Sequence, residues 1–221
     1  CSVASARAER ESTSMRVSII GGTGGVGRWL VAIARENGDH VKTLVRDRRK
    51  LPADVGAIGV IQGDVLRQND VDGVVGGADV VFSALGADGL GSTSVYSLGI
   101  ANVIAAMKRS GATRLLAVSS VGVEPDKNAN VLYRRVLAPF VLKNVLADMR
   151  EMERSIVASG LVWTIVRPSG LTDGPRSGLY RAGDRFIPER GRSIARADVA
   201  DFMYRVVADE RTNRKFVAPA Y

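Results

Sequence analysis

The chain has one cysteine, Cys1, and one histidine, His40, in 221 residues. A single cysteine closes no intramolecular disulfide and builds no multi-cysteine metal site. A single histidine excludes a histidine-rich centre, so no metal is expected. Aromatic residues make up only 5% of the chain. Proteins that hold single-stranded nucleic acid stack bases on aromatics set among cations. With so few aromatics, and no recognition-helix or RNA-binding motif, no nucleic-acid partner is expected. No apolar run approaches the roughly 18–20 residues of a membrane-spanning helix. The expectation is therefore no membrane partner, and the cytoplasm or another soluble compartment.

What is present is a large apolar fraction, 46%, with a formal charge of +8 and a pI near 10.0. That is enough to bury one full core. Basic residues gather at Arg46, Arg48, Arg49 and Lys50, and again between Arg176 and Arg196. A field of that sign gathers an anionic small molecule. Residues 1–14 are small and polar with no hydrophobic period. They read as a disordered extension or an expression remnant, with a processed targeting or anchoring segment as the alternative. Residues 15–221 read as one domain.

Period and punctuation give the order of elements. RVSII (16–20) is a β-branched run, and Val26, Leu30, Ile33 and Ala34 follow at helical spacing until Asn37-Gly38 stops them. Strands are read at 40–46, near 58–62, at 79–85, 114–120 and 161–168. Helices are read at about 67–75, 93–110 and 133–159. Strands alternating with helices imply an α/β fold with a doubly wound parallel sheet. Residues from 169 onward are less regular. A loop-rich cap at about 169–196 is expected over the strands' carboxyl ends, then a helix at about 197–208 and a last edge strand at 215–218.

The most informative stretch is SIIGGTGGVGRWLVAIA, residues 18–34. Gly22, Gly24 and Gly27 give G-x-G-x-x-G, while Gly21, Gly24 and Gly27 give G-x-x-G-x-x-G. Following the first strand and opening a helix, Gly21, Gly22, Thr23, Gly24, Gly25, Val26 and Gly27 form a candidate dinucleotide turn. An NAD site usually has a carboxylate at the end of the second strand. Here the strand ends in Arg46, with Arg49 close behind, and a guanidinium pairs with a 2′-phosphate. NADP(H) is therefore the expected cofactor, with Asp47 still able to face the ribose. Asp64 and Val65 after the third strand can flank an adenine. Leu85 and Gly86 after the fourth can line the ribose and diphosphate.

GGTGGVGR, TLVRDRRKLP, VIQGDVL, VVFSALG, IANVIAAMKRSGATRLLAVSS and SGLVWTIVRPSGLTDGP together resemble the atypical short-chain dehydrogenase/reductases. Within them the sequence is similar to the biliverdin-IXβ reductase/flavin reductase type. The resemblance runs through residues 16–175 and implies a Rossmann fold. It also implies a serine at the end of the fifth strand, Ser120 or its neighbour Ser119, and a tyrosine on the following segment, Tyr133. The usual lysine four residues after the tyrosine is replaced by Leu137. Pro168, after Arg167, matches the segment that fixes a nicotinamide carboxamide in that superfamily.

The expected activity is NADPH-dependent hydride transfer to a flavin, quinone or similar conjugated acceptor, planar or anionic, by a monomer or small homo-oligomer. Ser120 would orient the acceptor or a water, with the proton drawn from solvent. Two alternatives stand beside it. One is a non-catalytic NADP-binding redox sensor, which the missing lysine favours. The other is a tailoring reductase or epimerase of a secondary metabolite or nucleotide sugar, which would need Tyr133. Asp148, Arg150, Glu151 and Glu153 read as a solvated salt-bridged face, with a substrate-facing Glu153 as the sharper option. Arg176, Arg181 and Arg185 read as solvated loop arginines, with contact to the carboxylates or phosphates of an anionic acceptor as the sharper option.

Overall fold

The computed structural model describes residues 14–52, 56–126, 128, 135 and 140–221. The extension read at residues 1–14 lies outside these, apart from Ser14, whose hydroxyl donates to Gly38 O at 2.9 Å. Tyr133 and Leu137 also lie outside the described residues.

Among the described residues, ten strands and five α-helices follow in chain order: β1 (Arg16–Ile20), α1 (Gly27–Glu36), β2 (His40–Val45), β3 (Gly59–Gln62), α2 (Gln68–Val75), β4 (Val80–Ser83), α3 (Val95–Ser110) and β5 (Arg114–Val118). Then come α4 (Lys143–Val157), β6 (Val162–Val166), β7 (Gly170–Thr172), β8 (Arg181–Asp184), β9 (Ser193–Ala195), α5 (Arg196–Arg205) and β10 (Lys215–Ala220). The main sheet has the order β3-β2-β1-β4-β5-β6-β10-β8, and every pairing is parallel except β10 with β8.

The central strands are apolar because both faces are covered. All residues of β4 and β5 are buried. One face packs on α2, α3 and α4 through Val71, Ile100, Met107, Met152 and Ile156. The other packs on α1 and α5 through Leu30, Ile33, Val199 and Met203. This is the doubly wound arrangement that the strand–helix alternation predicts. Helix α3 ends where expected, with Gly111 at φ +77°, the left-handed conformation that glycine adopts without a Cβ clash.

The sheet reverses direction at β1. The chain runs outward to β2 and β3, then returns to place β4 on β1's other side. That reversal opens a crevice beyond the carboxyl ends of β1 and β4, the usual ligand position in such sheets.

The C-terminal quarter differs from expectation in two ways. The cap contains strand: β7 and β9 pair with each other, and β8 joins the main sheet. β10 is consequently not an edge strand, because it lies between β6 and β8. β8 is RAGD, largely exposed and with no apolar alternation. Its place comes from backbone pairing with β10, which leaves no trace in side-chain pattern.

Candidate functional site

Gly21 leaves β1 with φ +86°, and a Cβ there would stand 2.5 Å from Ala84 O, so the turn passes tightly under the end of β4. Gly24 N–H donates to Gly21 O at 2.9 Å and closes the bend. Gly27 opens α1 directly against Gly21, where a Cβ would overlap the Gly21 carbonyl oxygen. Gly22 faces inward, where a Cβ would overlap Thr43 Oγ1. Six of the seven residues therefore divide. Gly21, Thr23 and Gly24 line a cleft, while Gly22, Val26 and Gly27 are buried and draw helix and strand together. Helix α1 starts with no side-chain cap and no acidic residue in its first turn. Its N-terminal N–H groups and dipole thus favour an anion, with no acidic side chain of the helix's own first turn competing for them.

The cleft measures about 420 Å³ and runs from this turn across the ends of β2, β3 and β4. Its walls include Arg46, Asp64, Val65, Leu85 and Gly86, so five candidates from three strand ends meet there with the turn. Val65 and Leu85 form an apolar shelf resting on Gly99 of α3, where a Cβ would come within 3.0 Å and 3.1 Å of them. Asp64 accepts from Leu66 N–H at 2.9 Å. Asp47 turns away from a ribose-facing role: its carboxylate accepts from Arg49's backbone and guanidinium, each at 3.0 Å. Those bonds hold the Asp47 carboxyl below its ordinary range. Arg49 is correspondingly occupied and does not line the cleft.

Arg46 does line it, paired with Asp88 of the loop after β4 through both terminal guanidinium nitrogens, Nη1 and Nη2. Hydrogen bonding to Asp88 raises the Arg46 pKa further, and the same contact lowers that of Asp88. Asp88 and the cleft-lining Lys50 are not among the sequence candidates. Lys50 was visible in the basic run, whereas nothing local to Asp88 marks it.

Ser119, Ser120 and Pro168 lie at the ends of β5 and β6, outside that cleft. Val121 N–H donates to Pro168 O at 3.4 Å, tying the two strand ends together. The two serines have different environments. Ser119 is buried, and its hydroxyl donates to Glu153 Oε1 at 2.6 Å. Ser120 is half-buried and its Oγ accepts from Gly122 N–H at 3.3 Å.

Glu153 is neither solvated nor substrate-facing. It is 5% exposed and holds Arg167 through two bonds, 2.9 Å and 2.6 Å. Arg167 is itself 3% exposed, not a surface residue, and also donates to Glu124 at 2.7 Å. Burial disfavours its charge, but Glu153 and Glu124 outweigh that and leave the pKa raised. Asp148 is likewise buried and accepts from Tyr96 and Ser97 N–H, capping α3 from the neighbouring helix. Of the four, Glu151 is the one with an exposed ion pair among the described residues, to Arg154, while Arg150 donates to Val123 O at 2.8 Å. The cap arginines are engaged within the protein: Arg176 with Glu36, Arg185 with Glu124, and Arg181 with Glu189 O. Among the described residues, no helix is long and apolar enough to cross a membrane.

A family described as NAD(P)H-binding matches residues 21–210. An uncharacterized sugar epimerase, YhfK of Bacillus subtilis, is 30% identical over 91% of this chain and 92% of its own length. A probable pinoresinol-lariciresinol reductase of Arabidopsis thaliana is 25% identical over 94% of this chain and 68% of its own. Among solved structures, a short-chain dehydrogenase/reductase of Veillonella parvula in complex with NADP superposes with a TM-score of 0.81 at 17% identity, covering 94% of both chains.

Proposed function

The chain belongs to the NAD(P)H-binding family, and we propose that within it the protein is an NADPH-dependent reductase serving a flavin, quinone or similar conjugated acceptor. The observation that carries the cofactor choice is Arg46, a cation lining the cleft where an NAD site would have a carboxylate.

The residues fit a dinucleotide. The glycine turn and uncapped α1 offer N–H groups to a pyrophosphate, Val65 and Leu85 offer an apolar shelf to an adenine, and Arg46 offers a guanidinium to a 2′-phosphate. Bound NADPH supplies the hydride. Pro168 and its tie to Val121 fix the strand ends beside which the nicotinamide would lie. Ser120, the less buried serine, orients the acceptor or a water. Ser119 supports Glu153. Conjugated rings need no dedicated side-chain acid, which suits a chain with Leu137 where the superfamily has lysine. The segment 169–196 is assigned the acceptor side of the site.

The test is equilibrium titration with NADPH and NADH, followed by NADPH consumption with flavins and quinones. Preference for NADPH and turnover with one such acceptor are expected. Binding without turnover across the panel would shift the reading to a redox sensor. The name of the Bacillus subtilis relative favours a second reading, epimerisation or reduction of a sugar-linked substrate. That chemistry needs a proton relay, so Tyr133→Phe should abolish it and leave flavin reduction nearly intact.

A further inference from the structure

Arg196 opens α5, far from the glycine turn in sequence, yet its side chain lies against that turn. A Cβ placed on Gly25 would stand 2.5 Å from Arg196 Cδ and 2.7 Å from its Nε. The stem and the base of the guanidinium therefore pass over Gly25, and glycine leaves the room for them. The arrangement is set by the fold. α5 packs beside α1 in one apolar cluster that includes Leu30, Ile33, Val199 and Met203, which brings the first residue of α5 over the start of α1.

The guanidinium is held at its tip by Asp173, with Nη1 2.8 Å from Oδ1. The two partners are unequal. The Arg196 side chain is 29% exposed and the Asp173 side chain 76%. The cation is positioned by helix packing, whereas the carboxylate projects from the segment after β7 into solvent. An exposed pair of this kind is weakly held. α1 beneath it has no acidic residue in its first turn and no side-chain cap.

We propose that Arg196 is a second anion-binding side chain of the cofactor site, contacting the pyrophosphate common to NADH and NADPH, and that Asp173 is a placeholder which the phosphate displaces. This rests on the reading of the glycine turn as a dinucleotide site. It separates two tasks: Arg46 reads the 2′-phosphate that only NADPH carries, while Arg196 grips what both cofactors share. Arg196 lies outside any glycine-turn motif, and only the α1–α5 packing connects it to the site.

The experiment is calorimetric titration of the full chain with NADPH and with NADH, for the wild type, Arg46→Ala, Arg196→Gln and Asp173→Asn. Arg196→Gln should weaken both cofactors by a similar factor, about tenfold, because one charge-assisted contact is lost from each. Asp173→Asn should tighten both by about two- to fivefold, because a weak competitor is removed. Affinities unchanged within twofold in Arg196→Gln, or weakening confined to NADPH, would overturn the proposal. Should Arg196→Gln fail to fold, Asp173→Asn decides: its change is at an exposed carboxylate, and no tightening of either cofactor counts against the placeholder. A wild type that binds neither cofactor sinks the dinucleotide reading along with the proposal. A wild type that binds, with Arg46→Ala losing only NADPH and Arg196→Gln changing nothing, sinks the proposal alone.

Discussion

Arg46 at the end of β2 and Asp88 in the loop after β4 form a two-point ion pair joining two walls of the same cleft, with Nη2 2.9 Å from Oδ1. The guanidinium proposed to receive a 2′-phosphate is thus already neutralised by a carboxylate. Both partners are well exposed, so the pair contributes little to stability. Its effect falls on binding. A 2′-phosphate must displace Asp88 or share Arg46 with it, and NADH meets no such competition. Asp88→Asn should tighten NADPH several-fold with NADH unchanged, and Arg46→Ala should bring the two affinities together. Titration of both variants with both cofactors checks this, and equal shifts for NADH and NADPH would remove the specificity argument.

The adjacent serines should separate cleanly. Ser119 donates to a buried carboxylate that also holds Arg167, so Ser119→Ala leaves part of a buried charge unsatisfied. The expected loss is about 1–3 kcal/mol, read as a fall of roughly 3–10 °C in Tm, with cofactor affinity little altered. Ser120→Ala removes a partly exposed cap to Gly122 N–H, so it should lower Tm less than Ser119→Ala does and lower turnover with the acceptor. Thermal melts beside steady-state rates test the pair, and the reverse pattern would make Ser119 the residue that meets substrate.

The difference between those serines marks how far the sequence is informative. Periodicity in β1, α1, β4 and β5 gives the sheet and its helices, because burial on both faces leaves continuous apolar runs. The cleft was legible too, since Gly24, Arg46, Asp64 and Leu85 each stand at a strand end and topology brings such ends together. Pairings between distant positions were not. Glu153 looks like one more solvated charge on α4 until β6 delivers Arg167 to it, and Asp148 until α3 presents its uncapped N–H groups. β8 escaped for a related reason: an exposed RAGD carries no pattern when the backbone of β10 specifies its place.

Acid should weaken the fold through Glu124. Hydrogen bonding from Arg185, then from Arg167, holds the Glu124 carboxyl below its ordinary pKa despite partial burial. A carboxylate depressed in the folded state stabilises above its unfolded pKa, near 4.3 for glutamate, and loses that contribution as pH falls through the folded value. The Tm difference between wild type and Glu124→Gln should therefore be steady from about pH 8 to about pH 5 and shrink below about pH 4. A difference independent of pH down to full acid unfolding would assign the contribution of Glu124 to packing rather than charge.

Two glycines of the same turn should fail in different ways. At Gly27 a Cβ would overlap Gly21 O and come within 2.8 Å of Gly21 C and 3.1 Å of Gly22 Cα, all backbone atoms that move only if the turn itself opens. Gly27→Ala should therefore lower Tm and abolish binding of both cofactors. At Gly25 the near neighbours are Arg196 Cδ and Nε, the far part of a side chain that can swing aside. Gly25→Ala should keep the fold, displace Arg196 and weaken NADH and NADPH alike. If displacement of Arg196 is the cause, adding Arg196→Gln to Gly25→Ala should weaken binding little further, since both changes remove the same contact. Fully additive losses in that double-mutant cycle would mean that alanine at Gly25 obstructs the cofactor directly and that Arg196 acts elsewhere.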